Sequence, residues 1–356
     1  MVGVDVLVIL DGASEPLGGA RATSLERAST PALDALAREG TLSRLRMVPA
    51  GLAPGSEVAI PTLLGWIPDG TVDRGAIEAA ARGIAVAPGE RAWRVDAVTP
   101  DGDRAGDAAT RRAARALQAD ACAHAVHRLA GHRLLLVGPP PLPAATRAVG
   151  LRVWPEGVVI SPTLERSTVM VAAIGAAAGI GRLMGARVLT PAGATGGPAS
   201  DLAAKAACAV QAITGGATRV IVHVGGPDEA AHLLDFEAKV AVIERADRDL
   251  IAPLAAAIRR ASGTLRVCPD HGCDPATGQH DAHPVPCVRW PGRDLGARGA
   301  HGDDPAVTGM RPAADPAGDT QGNGDAAGAA PVSRRLTERA VADLAVTDLM
   351  PRLVAA

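Results

Sequence analysis

The chain has 356 residues, 47% of them hydrophobic and 21% charged, with a formal net charge of −2. That length can bury one large core or two ordinary ones, and the balanced charge excludes the basic footprint that grips nucleic acid. Tyrosine is absent and the aromatics are Phe236, Trp66, Trp93, Trp154 and Trp290, too few for a base-stacking platform.

The N-terminal MVGVDVLVILDG has no basic flank. Its apolar run Val4–Leu10 is read as a buried strand, not a leader, ending in a turn at Asp11-Gly12. Thr30–Gly40 reads as a helix, with Pro31 in the first turn and Gly40 past the end. Ser56 follows Pro54-Gly55 and precedes a helical pattern. That is the place of an N-cap, and equally of a side chain beside an anion held by helix amides. From about residue 67 to residue 157 the character changes. Helical Ala108–Leu129, a strand at Arg133–Val137 and the run Pro139-Pro140-Pro141 suggest a smaller α/β unit inserted between halves of the first. The apolar stretch Val169–Gly181 is too short to cross a bilayer. Val220–Val224 is a second buried strand, leading into a helical pattern from Asp228 to about Arg260. Leu265–Cys268 is a third, ending at Asp270-His271. Residues 301–331 have the composition of a disordered loop, and Leu336–Leu353 has a helical pattern.

Strands that deliver acidic and histidine residues at their C-terminal ends place a site there, as in open parallel sheets. Asp228 and His232, four apart at a helix start, share a face and can reach one ion, although an Asp there also serves as a cap. Asp270-His271, with His280 or His283 beyond, supplies the ligand types of hard-to-borderline divalent metals. Spacing does not choose between His280 and His283. Five cysteines without a CxxC suit a reducing cytoplasm better than a disulfide framework. Only two of the 36 basic side chains are lysine, Lys205 and Lys239. Each could form a helical pair, with Asp201 and Asp235, or supply a compact ammonium to a site.

In this order and spacing the segments resemble the alkaline phosphatase superfamily of metalloenzymes. Within it, the chain is similar to the cofactor-independent phosphoglycerate mutases of archaeal type, whose bacterial relatives include proposed homoserine kinases. ILDGASEP, STPALDALAREG, APGSEVAIPTLLGW, DRGAIEAAARGI, ERAWRVDAVTPDG, TPAGATGG, GGPDEAAHLLDFEAKVAVIERAD, PDHGCDP, HDAHPVP and RRLTERA carry the resemblance nearly end to end. It implies an α/β three-layer sandwich on a mostly parallel sheet, with a discontinuous catalytic domain (1–66 and 158–356) and a smaller inserted α/β lid (67–157). It also implies two divalent ions, manganese first, with magnesium, zinc or cobalt as alternatives. Asp11, Ser56, Asp270 and His271 would hold one, and Asp228, His232 and His280 the other. Ser56 would take the phosphoryl group of 3-phosphoglycerate and return it to the neighbouring hydroxyl, while Arg74, Arg94, Lys205 and Lys239 grip the substrate. The expected protein is cytoplasmic, acts on a small phosphorylated metabolite, and binds neither nucleic acid nor membrane. Two positions depart from the family pattern: Ala178 and Asp107 stand where basic residues are usual, and the inserted region looks short. The alternative is therefore a phosphatase or phosphotransferase acting on another small phosphorylated or phosphonate metabolite. Intact ligand positions argue against a non-enzymatic binding protein.

Overall fold

Strand β1 (Asp5–Leu10) is buried on both sides. Val6, Val8 and Leu10 enter one core, and Leu7 and Ile9 the other, as the two-residue period of a strand requires. The computed structural model describes residues 3–18, 21–120, 124–129, 131–147, 150–292 and 335–348; the expected loop at 301–331 lies outside the described residues. Further strands are β2 (Thr41–Arg46), β3 (Arg91–Ala97), β4 (Ala125–Arg128), β5 (Arg133–Gly138), β6 (Leu151–Val153), β7 (Thr168–Val171) and β8 (Arg187–Leu189). They continue with β9 (Arg219–Val224), β10 (Thr264–Cys268), β11 (Gly272–Asp274), β12 (Gln279–Asp281), β13 (Val285–Trp290) and β14 (Val346–Asp348).

Eight strands form one sheet in the order β14-β2-β13-β10-β1-β9-β7-β8. Every neighbouring pair is parallel except the two that β13 makes, with β10 and with β2. Helices Pro31–Glu39, Leu202–Thr214, Phe236–Ala246 and Ala252–Ala261 cover one face; Ser56–Leu63 and Ala176–Leu183 cover the other. The result is a three-layer sandwich.

A second sheet, β4-β5-β3-β6, is wholly antiparallel and packs Trp93, Leu134 and Leu136 on Leu117 of the helix Asp107–Asp120. The two chain segments that join it to the main sheet are bonded to each other. Asp73 N–H donates to the Val158 carbonyl at 2.9 Å, and Val158 N–H to the Thr71 carbonyl at 2.8 Å. Helix Arg74–Arg82 is shared between the units. Ile77 sits in the main core while Ala79 packs with Ala92 and Leu135. Glycines permit both approaches: a Cβ on Gly75 would lie 2.0 Å from the Ala92 oxygen, and one on Gly179 would lie 2.1 Å from the Ile77 oxygen.

Three expected elements differ. The helical pattern from Asp228 to Arg260 is broken after the helix Gly226–His232, where Leu234 adopts φ 58° and Asp235 caps the next helix through the Ala238 N–H. The expected Ala108–Leu129 helix stops at Asp120, and β4 follows. Within the expected C-terminal helix, the described residues contain a short 3-10 turn (Arg339–Val341) and β14, which pairs in parallel with β2 at the sheet edge. Residues 349–353 lie outside the described residues. Among the described residues no helix is long and apolar enough to cross a membrane.

Candidate metal centre

Asp11 directly follows β1, Asp270 and His271 follow β10, and Asp228 and His232 lie on the helix that follows β9. All three strands are parallel neighbours, so their C-terminal ends bring these residues to one edge of the sheet. Ser56 opens the helix Ser56–Leu63 at the same edge, and His280 arrives on the β11–β12 hairpin. All seven expected ligands therefore converge. His283 does not join them. Its Nε2 lies 2.9 Å from Ser14 Oγ, and its Nδ1 contacts Asp281.

The geometry divides into two halves that meet at Asp11 and Asp228. Ser56 Oγ lies 3.3 and 3.4 Å from the Asp11 oxygens and 3.4 Å from His271 Nε2, which is itself 3.2 Å from Asp11. In the other half, Asp228 Oδ2 is 3.3 Å from His232 Nε2 and Oδ1 is 3.1 Å from His280 Nε2. The two imidazole Nε2 atoms face each other at 3.0 Å. Each Nδ1 is taken by a backbone carbonyl: His232 to Gly278, His280 to Pro54, and His271 to Gly272. Carbonyls only accept, so each Nδ1 carries a proton and each Nε2 faces inward, able to bind an ion once any proton on it has left. This outer hydrogen bond is the usual support of a metal-bound histidine. Asp228 Oδ1 and Asp270 Oδ2 are buried acceptors with no hydrogen-bond donor, atoms that cost free energy unless a cation meets them. The donor set therefore fits divalent ions. Ligand atoms lie within 4.8 Å of one another in two groups, Asp11–Asp228–His271 and Asp228–His232–Cys273–His280.

Electrostatics point the same way. Burial and the neighbouring Asp11 charge push the Asp270 carboxyl up to about 7. Burial opposes charge on His271, yet Asp270, Asp11 and Asp228 raise it to about 10. Burial and Asp228 push Asp11 up, but hydrogen bonds from His223 and His271 outweigh them and hold it below the ordinary carboxylate range. Without an ion, the cluster holds a proton as its cation.

A sequence model of the metalloenzyme superfamily matches residues 4–297. The chain belongs to that family. Two archaeal relatives carry the name 2,3-bisphosphoglycerate-independent phosphoglycerate mutase. The Methanopyrus kandleri protein is 28% identical over 349 residues, covering 75% of this chain and 82% of its own. The Archaeoglobus fulgidus protein, mutase 1, is 28% identical over 362 residues, covering 80% and 88%. Among solved structures, the PH0037 protein of Pyrococcus horikoshii superposes with a TM-score of 0.68 at 22% identity over 82% of this chain and 88% of that one. A cofactor-independent phosphoglycerate mutase from Thermoplasma acidophilum gives 0.51 at 20% identity over 81% and 89%. The family resemblance read from the motifs is borne out, and so is the three-layer α/β fold.

Not every residue expected to touch substrate reaches the centre of this metalloenzyme. Lys205 is fully buried and donates to the His223 carbonyl at 2.7 Å; Lys239 is fully buried and donates to the Cys273 carbonyl at 2.6 Å. Neither forms the helical pair, because Asp201 and Asp235 cap their helices instead. Each ammonium braces a strand or hairpin that carries site residues. Arg94 is buried in the antiparallel unit, bidentate to Asp96 at 3.0 and 3.2 Å and 3.3 Å from Glu78, and it stacks over Trp154. Arg74 bonds Glu57 at 3.0 Å, which ties it to the residue after Ser56. Ala178 is fully buried in the core, and Asp107 pairs with Arg111 and Arg128 at the surface.

Two site residues escaped the sequence reading. His223 donates from Nε2 to Asp11 Oδ2 at 3.0 Å; a lone polar residue in the apolar run VIVHV was the available signal. Cys273 joins the ligand group, and its position opposite His280 appears only once the hairpin register is known.

Proposed function

We propose that this metalloenzyme carries two divalent ions and transfers a phosphoryl group through Ser56, interconverting 3-phosphoglycerate and 2-phosphoglycerate. The observation that carries the reading is the position of Ser56 Oγ: 3.3 Å from Asp11, 3.4 Å from His271 and at the first position of its helix. Asp11, Ser56, Asp270 and His271 would hold one ion; Asp228, His232 and His280 would hold the other. When bound, such ions supply the positive charge that favours a serine alkoxide and neutralises phosphoryl oxygens.

The chain's own groups account for the remaining requirements. The Ser56 hydroxyl points its proton at Asp11, whose carboxylate is kept ionised by His223 and His271. The free amides at the start of the Ser56 helix, and its dipole, receive phosphoryl oxygens. Ser56 attacks phosphorus, the bond to the substrate oxygen breaks, and the released glycerate reorients. The reverse attack by its neighbouring hydroxyl then frees Ser56. The antiparallel unit (67–157) would act as the lid that keeps water from the phosphoserine.

A second reading, a phosphatase or phosphotransferase for a different small phosphorylated or phosphonate metabolite, is favoured by one observation. Arg94 is bound to Asp96 and Glu78 and offers no open fork to a carboxylate. One incubation separates the two. Manganese-loaded protein is given 3-phosphoglycerate, and 2-phosphoglycerate and free phosphate are followed together. Isomer formation supports the mutase, and phosphate alone supports the second reading. Ser56→Ala should abolish turnover and the phosphoryl mass increment on the chain while keeping its fold and at least one metal. Full turnover in that variant would sink the nucleophile assignment.

A further inference from the structure

We propose that Cys273 is a fourth protein ligand of the ion held by Asp228, His232 and His280. That position would then select a borderline-soft ion such as zinc or cobalt, while the oxygen-rich position at Asp11, Ser56, Asp270 and His271 takes a hard one. The inference rests on the two-ion reading above and adds an asymmetry to it.

Hairpin register supplies the first argument. Cys273 on β11 pairs directly with His280 on β12, and cross-strand partners project from the same face. The Cys273 sulfur accordingly falls within 4.8 Å of the ligand atoms of Asp228, His232 and His280. A tetrahedral zinc with bonds of about 2.0 Å to nitrogen and about 2.3 Å to sulfur separates its ligand atoms by roughly 3.3–3.8 Å. Small side-chain rotations close the difference. The second argument is independent of the cysteine. Asp228 is 8% exposed, its Oδ1 has no hydrogen-bond partner, and the Nε2 atoms of His232 and His280, whose Nδ1–H groups are spent on carbonyls, face each other at 3.0 Å. A cation at the centre of the group relieves all of these at once. Third, Lys239 fixes the hairpin from behind, donating to the Cys273 carbonyl at 2.6 Å and pairing with Glu15 at 3.2 Å. Burial and the Asp228 charge push the ion-free thiol up, so the charge that stabilises a thiolate there would come from the bound cation itself. On coordination the Sγ–H proton leaves to buffer as the Sγ–metal bond forms, and nothing is oxidised or reduced.

Ligand chemistry then predicts unequal ions. Sulfur with two imidazole nitrogens and one carboxylate suits zinc or cobalt, whereas three oxygens and one nitrogen suit manganese or magnesium. Among the described residues Cys208, Cys268 and Cys287 belong to no such ligand group, so Cys273 is the one described source of a thiolate signal.

The test uses the full chain, stripped with chelator and reloaded with cobalt, with metal content and absorption spectrum recorded on the same sample. The expected result is two cobalt ions per chain with a thiolate-to-cobalt charge-transfer band in the near ultraviolet. C273S should lose the band and bind zinc at least tenfold more weakly at that position, with manganese affinity at the other unchanged; C208S should keep the band. Zinc-edge X-ray absorption of the wild-type protein should show one sulfur neighbour, a measurement that stands even if C273S does not fold. Two ions bound without a sulfur signal would overturn the role of Cys273 and leave the two-ion reading intact. A band that persists in C273S would also overturn it. Failure to bind any ion would end both.

Discussion

Proton competition at His271 gives a prediction that tests the centre without altering a residue. In the ion-free protein His271 stays protonated up to about 10, because Asp270, Asp11 and Asp228 more than offset its burial. An ion can use its Nε2 only after that proton leaves. Each unit of pH below about 10 therefore lowers the apparent affinity about tenfold, equivalent to about 1.4 kcal/mol. Asp270 adds a second proton below about 7, and the slope there steepens toward about a hundredfold per unit. The sign is fixed: affinity rises with pH, steeply in the acid range and less steeply between about pH 7 and about pH 9. Manganese titrations at several pH values, repeated in buffers of different ionisation enthalpy to count released protons, would measure both slopes. Affinity that is constant from about pH 6 to about pH 9, with no proton release, would refute this account of the cluster. The same shift acts on folding of the ion-free chain. The raised His271 contributes stability that is complete below the unfolded value near 6.5 and is lost as pH climbs toward about 10.

Other expected outcomes follow from the same contacts. His232→Ala should retain one ion instead of two by elemental analysis; unchanged stoichiometry would show that the other residues of that group, Asp228, Cys273 and His280, suffice. Arg94→Ala leaves Asp96, 1% exposed, without its bidentate arginine, while Glu78 keeps Arg74 and Arg82, and should destabilise the antiparallel unit by about 3 kcal/mol in denaturant unfolding. Unchanged stability with a raised KM would instead restore Arg94 as a substrate contact. Burial lowers Lys205 to about 8, with Asp11 only partly opposing. The unfolded chain binds the extra proton between there and its ordinary value near 10.5, so this group alone makes stability rise with pH across that window, by up to about 3 kcal/mol. Lys205→Met should remove that component from the difference between variant and wild-type stability curves, and identical pH slopes would show that the ammonium is not desolvated.

What the sequence could reveal divides along physical lines. Asp11, Asp228, Asp270 and His271 were legible because each follows an apolar run, and chain direction alone then carries them to one sheet edge. The choice of His280 over His283 was not, since three residues of separation on a short hairpin are decided by register, and register depends on β11. Lys205 and Lys239 could not be interpreted from helical spacing, because their partners are carbonyls distant in the chain. Arg94 matched a family motif, but its partner Asp96 is two residues away on the same strand, and only burial shows that the pair is closed to ligands. The break at Leu234 was hidden for a similar reason: leucine in a left-handed conformation violates local preference, and the surrounding contacts prevail.

The bonded pair of segments at Thr71–Asp73 and Val158 has a mechanical consequence. Two single strands joining two bodies would behave as a tether, free to twist and to bend in every direction. Strands bonded side by side behave like a leaf hinge: they flex across the ribbon and resist rotation about its length. Helix Arg74–Arg82, pressed through glycines against both bodies, limits the remaining freedom to a swing of small amplitude. If the antiparallel unit acts as the proposed lid, a mounting of this kind would return it to the same alignment each time it closed. Gly179→Ala, which forces that helix away from its seat, would show up as a change in where the unit lands and not in whether it moves.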